Sequence, residues 1–171
     1  MATWTTPSDR AHLDTVLHTE WNTLLGANGS LVWLHTFQGV RATKSAQSVA
    51  SGSFVKMNLD TEQFDPNSWF DNATNFRFLP THAGKYRVSG NVVITAANGL
   101  AYVALYKNGS IRIDVNQVGS GSDISMGVSD VIDLNGSTDY VEAYCYTVTS
   151  SSTDIDGNSI VSHFSGSWVG A

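Results

Sequence analysis

The feature that most limits what this chain can fold into is a change of hydrophobic period near residue 39. Ahead of it, Leu13, Val16, Leu17, Trp21, Leu24 and Leu25 recur in steps of three and four, one apolar stripe on a helix. Pro7 and Ser8 suit its start and Gly26 its stop. An Asn28-Gly29-Ser30 turn follows, then Leu31-Val32-Trp33-Leu34, a run too apolar to leave alone in water. From Gly39 onward the period is two. Tyr86, Val88, Val92 and Ile94 share one strand face, Ile111, Ile113 and Val115 another, and Val141, Ala143 and Cys145 a third. Asn98-Gly99, Asn108-Gly109, Asn135-Gly136 and Asp156-Gly157 punctuate these runs, and such pairs supply the positive φ that hairpin turns need. The pattern predicts an all-β sandwich over 39–171 with a short helical arm over 1–38. The arm either docks on something else, through Leu13, Val16, Leu17, Trp21, Leu24 and Trp33, or packs on its own domain.

Two strands are apolar on both faces. Leu100, Tyr102, Ala104 and Tyr106 lie opposite Ala101, Val103 and Leu105, and Tyr140, Tyr144 and Tyr146 lie opposite Val141, Ala143 and Cys145. One face of a sandwich strand ordinarily meets water, so the second apolar face asks for a cover. A second subunit supplies one, which makes Tyr102, Tyr106, Tyr140, Tyr144 and Tyr146 the candidate oligomer interface. A tyrosine-rich exposed face, or one covered by the arm, are the other readings.

Composition narrows the partners. The formal net charge is −6 with few charged residues, which argues against nucleic acid, since phosphate binding needs a basic surface. No apolar run approaches the length of a membrane helix, and Met1 to Pro7 lack the basic-then-apolar pattern of a secretory signal. With one cysteine, Cys145, an intrachain disulfide is excluded. The five histidines are scattered, and Asp154-Ile155-Asp156-Gly157-Asn158 begins like a calcium loop but lacks its closing glutamate. No metal or cofactor is expected. No nucleophile elbow is present, and nothing selects a carboxylate pair such as Glu62 with Asp65 or Asp139 with Glu142, so no catalytic residue and no enzymatic activity are expected. Trp69 and Phe70 follow the turn Asp65-Pro66-Asn67-Ser68 and are the candidate surface contacts for a ligand such as a glycan.

Several short motifs together resemble one family. Phe76-Arg77-Phe78-Leu79-Pro80 followed by Ala83-Gly84-Lys85-Tyr86 resembles the Phe–Pro–Gly–Tyr core of the complement-type globular head and tumour-necrosis-factor-like jelly roll. Leu105-Tyr106-Lys107-Asn108-Gly109 resembles its hairpin. Leu134-Asn135-Gly136-Ser137-Thr138-Asp139-Tyr140-Val141 resembles its turn into a later strand, with Ser-Thr inserted before the Asp. Phe164-Ser165-Gly166-Ser167-Trp168 resembles its closing strand. The stretch Phe54 to Phe64 and the opening Thr3-Trp4-Thr5-Thr6-Pro7 are similar to bacteriophage versions of that head. The resemblance implies a jelly-roll β-sandwich that assembles as a homotrimer on the outside of a tailed-phage virion, after assembly in the bacterial host cytoplasm. Neither a collagen stalk nor a long shaft precedes the head, which favours a capsid decoration or short head fibre held on capsid or tail proteins by residues 1–38. The alternative is a tail-fibre tip that recognises a host surface glycan or protein.

Overall fold

The period-two runs all become strands. The computed structural model describes residues 37–44, 46–148, 153–156 and 162–171. In chain order the strands are β1 (Gly39–Thr43), β2 (Gln47–Val49), β3 (Phe54–Lys56), β4 (Thr61–Phe64), β5 (Phe70–Asp71), β6 (Arg77–Phe78), β7 (Ala83–Lys107), β8 (Ser110–Asn135), β9 (Val141–Val148), β10 (Thr153–Ile155) and β11 (His163–Gly170). No helix occurs among the described residues, and Gln38–Ala171 forms one unit. The helical arm expected over 1–38, with Leu13, Val16, Leu17, Trp21, Leu24 and Trp33, lies outside the described residues apart from its last two positions.

The long strands β7 and β8 organise everything else. They pair antiparallel along nearly their whole length, from Ala83 opposite Asn135 to Lys107 opposite Ser110. On its other edge, β7 pairs β11 through residues 85–91 and β9 through residues 100–107. β11 continues to β1 and then β4, whereas β9 continues to β3 and β6. The sheet therefore splits into two halves joined through β7 and β8, and it curls over one core. Phe78 of β6 meets Phe164 of β11 with ring centroids 5.8 Å apart, which brings the two halves face to face. A Cβ built on Gly90 would sit 3.5 Å from Leu105 and 3.7 Å from Ala143, so the layers approach closely there.

The alternation predicted from sequence fixes which side chains enter that core. Tyr86, Val88, Val92, Ile94, Val141, Ala143 and Cys145 are all buried, as half-buried strands require. Asn108-Gly109 is the tight turn joining β7 to β8, with φ of 53° and 77°, both positive as a two-residue hairpin demands. Asn98-Gly99 is a correction. The chain does not reverse there; β7 continues through the pair, with register shifts at Ala97 and Asn98 and Gly99 at φ 133°. An Asn-Gly pair supplies positive φ equally well to a bulge that bends a strand, and here it bends β7 from one half of the sheet into the other. Asp156 is described but Gly157 is not.

Candidate functional site

The family-like motifs assemble the core. Phe78, Tyr86 and Trp69 meet edge to face, with centroids 5.5, 5.7 and 6.1 Å apart, and Phe70 and Phe78 both reach Phe164. Tyr86 keeps its hydroxyl satisfied by donating to the His82 carbonyl at 2.7 Å, while burial pushes its pKa up to about 12. Gly166 is small because a Cβ there would come within 3.1 Å of the Phe78 ring. Gly84 has φ +145°, and a Cβ would fall 2.5 Å from the Gly170 carbonyl oxygen. Trp69 and Phe70 are therefore core residues, 1% and 6% exposed. This corrects their reading as surface ligand contacts. The indole N–H donates to the Thr81 hydroxyl at 3.0 Å, and both rings point away from the turn that precedes them because Phe78, Tyr86 and Phe164 wait underneath.

Two other motifs lock onto each other. Asn108 accepts from the Tyr140 amide at 2.9 Å and donates to Asp139 at 2.8 Å. Lys107 pairs with Asp139 at 2.9 Å. Asn135 accepts from the amides of Ser137, Thr138 and Asp139, which is the work of the inserted Ser-Thr. The Asn108 hydrogen bond, followed by Lys107, holds the Asp139 carboxyl below its ordinary range. These residues fasten the hairpin tip to the entry of β9. Asp139 is thus engaged in a turn, and Glu142 pairs with Lys56 at 2.5 Å.

The predicted tyrosine row is present on the face of β7 and β9 that points away from the core. Register places Tyr102 opposite Tyr146, Ala104 opposite Tyr144 and Tyr106 opposite Glu142. β3 then sets Phe54 beside Tyr146 and Lys56 beside Tyr144. Phe54 contacts Tyr102, Tyr106 and Tyr146 at 6.0, 5.9 and 5.1 Å, and Tyr106 stacks on Tyr144 at 4.1 Å. Ala104 makes that stack possible, since a larger side chain there would hold the rings apart. All four tyrosines are half-buried, in part by one another. Burial, then the charge of Glu142, pushes the Tyr144 phenol up to about 12; burial and Asp114 raise Tyr106. Tyr140 lies just before β9 with the Arg77 guanidinium 4.7 Å from its ring centroid. The alternation of β9 already sets Glu142 on the face of Tyr140, Tyr144 and Tyr146; the sequence reading missed Phe54 and Lys56, which join this face only through the pairing of β3 on β9.

Exposed aliphatic side chains are spread along β8, three toward its start and Val131 near its end. Ile111, Val115, Val118 and Val131 are each at least two-fifths exposed, with Val118 at 72%. Among the described residues β8 pairs only with β7, so its outer edge is open. On the opposite half of the sheet, Ser89, Asn91, Gly127, Ser129 and His163 line a shallow polar recess of about 290 Å³. Among the described residues no three His, Cys, Asp or Glu side chains cluster as metal ligands.

This arrangement is the tumour-necrosis-factor-like jelly roll. Eiger TNF from S. frugiperda superposes with a TM-score of 0.60 at 10% identity, covering 78% of this chain and 92% of that one. Murine APRIL does so with a TM-score of 0.63 at 7% identity, covering 78% of this chain and all of the other. No family model matches the chain, and no curated protein matches it in sequence. At such identities the likeness is one of fold.

Proposed function

We propose that this chain is a non-enzymatic structural protein of a tailed-phage virion, displayed on the particle surface as a homotrimer of jelly-roll heads and held to capsid or tail proteins by residues 1–38. The observation that carries self-association is the open margin of β8. Ile111, Val115, Val118 and Val131 stay exposed on β8, whose edge away from β7 has no partner strand among the described residues. Such an edge invites aggregation unless something covers it, and a closed ring of identical copies covers it on every protomer at once. The phage-like run from Phe54 to Phe64 supports placing the head on a particle. In a capsid decoration or short head fibre, the arm stabilises the shell by binding its assembled form.

Native mass spectrometry and sedimentation equilibrium test the assembly. The expected species has three times the 18.4 kDa of one chain, and V115D combined with V118K converts it to a folded monomer. A wild-type chain that stays monomeric at its solubility limit refutes the trimer. Electron microscopy of labelled particles tests the location. Removal of residues 1–38 should leave a folded head that no longer binds particles, and a truncated head that still decorates them overturns the docking role.

A further inference from the structure

The described residues contain three Asn-Gly pairs, at 98, 108 and 135, and the structure holds them differently. Asn108 accepts from the Tyr140 amide at 2.9 Å and donates to Asp139 at 2.8 Å. Asn135 accepts from the amides of Ser137, Thr138 and Asp139 and donates to the Thr138 hydroxyl at 2.8 Å. Both carboxamides are fastened through their oxygen and their nitrogen. Asn98 is exposed on β7, and its side chain makes no hydrogen bond among the described residues. Its backbone also sits where the ladder skips, from Ala97 opposite Ser122 to Asn98 opposite Ser120. Gly99 follows at φ 133°.

We propose that Asn98 is a self-modification site, which converts to isoaspartate and aspartate with water as the only co-reactant. The Gly99 backbone nitrogen gives its proton to hydroxide and attacks Asn98 Cγ. The new N–Cγ bond closes a five-membered succinimide. The Cγ–Nδ2 bond breaks, and the departing nitrogen takes a proton back from water and leaves as ammonia. A second water opens the ring. Addition at the side-chain carbonyl gives aspartate. Addition at the main-chain carbonyl gives isoaspartate, whose backbone runs through Cβ and Cγ and is one atom longer. Glycine permits the attack, since no Cβ blocks the approach to its nitrogen. At Asn108 and Asn135 the same swing of Cγ first has to break the hydrogen bonds that fasten their turns. The position gives the product its effect. The added atom and a new carboxylate enter β7 at its bend between the two halves of the sheet, opposite Ser120. The conversion needs one folded chain and neither a trimer nor a particle.

The test incubates the full chain for days at mildly alkaline pH, with a urea-denatured sample in parallel. Peptide mapping by mass spectrometry follows each Asn-Gly pair, so Asn28-Gly29, outside the described residues, is read apart. In the folded chain Asn98 should convert about tenfold or more faster than Asn108 and Asn135, because side-chain hydrogen bonds guard both of those. In urea the three rates should converge. Conversion should speed up as pH rises, and N98Q, whose longer side chain closes such a ring far more slowly, should yield no product there. The purified isoaspartyl form should melt below N98D, which carries the carboxylate without the longer backbone. A folded chain in which Asn98 converts no faster than Asn108 and Asn135 overturns the proposal. So does an Asn98 that stays intact while the urea sample converts. Equal melting of the isoaspartyl form and N98D overturns the effect assigned to the bend.

Discussion

Replacing Trp69 by alanine tests the core assignment directly. Trp69 is buried against Phe78, Tyr86 and His82. A buried tryptophan removes about 150–250 Å² from water, worth about 4–6 kcal/mol at about 25 cal/mol per Å²; alanine still buries part of that area, so truncation costs roughly 3–5 kcal/mol, in the range measured for large aromatic to alanine changes. The lost indole hydrogen bond adds little, because its partner Thr81 is exposed and rehydrates. For a chain of this size each kcal/mol moves the melting temperature by about 2–4 °C, so W69A should melt about 6–20 °C lower. W69F keeps a ring against Tyr86 and should fall by about a third of that. Circular dichroism melts and urea titrations read both. A W69A protein melting within about 2 °C of wild type would show that this indole is not packed as described, and the aromatic core built around it would be wrong.

Four further outcomes follow from named contacts. G84A forces a Cβ to within 2.5 Å of the Gly170 carbonyl oxygen and 2.6 Å of Trp168 Nε1 at φ +145°; it should cost about 3 kcal/mol or more by chemical denaturation, and a loss below about 1 kcal/mol contradicts the geometry. D139A unties the two turns and should cost about 1–2 kcal/mol, with faster amide exchange confined to residues 135–140 and 108. Asp71 has its pKa lowered from 3.8 to about 2, chiefly by the Thr74 amide and then the Asn75 side chain; a depressed acid stabilises the fold above its ordinary pKa and loses that contribution as pH falls through about 2. NMR titration of Asp71 should show the low midpoint, and D71N should flatten stability over that window. Burial pushes the Cys145 thiol up to about 12, so iodoacetamide should label it only as fast as the fold opens; labelling at the rate of free cysteine places the thiol outside the core.

Much of the fold was legible because alternation in a strand is a local rule. Tyr86, Val88, Val92 and Ile94 entered the core as the spacing required. The double apolar face of residues 100–106 was also visible, since both parities are written in one short run. What covers a face is decided by partners far away in sequence. Trp69 and Phe70 follow a turn, and nothing within several residues announces Phe78, Tyr86 and Phe164 beneath them. Phe54 and Lys56 were unreadable on this face for the same reason: a one-residue slip of β3 on β9 would have put Val55 on the tyrosine face instead. Gly166 showed itself only as part of a motif, and its reason, the Phe78 ring, lies 88 positions upstream in a different strand.

The bend at Ala97 to Gly99 decides which residues the tyrosine face contains. Before it, even-numbered residues of β7 face the core: Tyr86, Val88, Val92 and Ile94. After it, odd-numbered ones do: Ala101, Val103 and Leu105. β8 switches in the opposite direction along the chain, from Ile113 to Ile124, Met126 and Val128. The two switches lie across from each other, with Gly99 opposite Gly119. Gly119 has no room for a side chain, since a Cβ would fall 2.4 Å from the Ala97 carbonyl oxygen. Without the register shifts, Tyr102 and Tyr106 would point inward and Val103 and Leu105 outward. Deleting Asn98 should therefore be far more damaging than deleting Ser137 from the loop before β9, although both are exposed polar residues. The first deletion forces either a new bulge or a swap of every side chain from residue 100 to 106 between core and solvent; the second only shortens a turn. Soluble yield and cooperative melting of the two deletion variants measure the difference. A deletion at Asn98 that melts cooperatively at the wild-type temperature would show that the bend does not set the parity, and the tyrosine face would then need another cause.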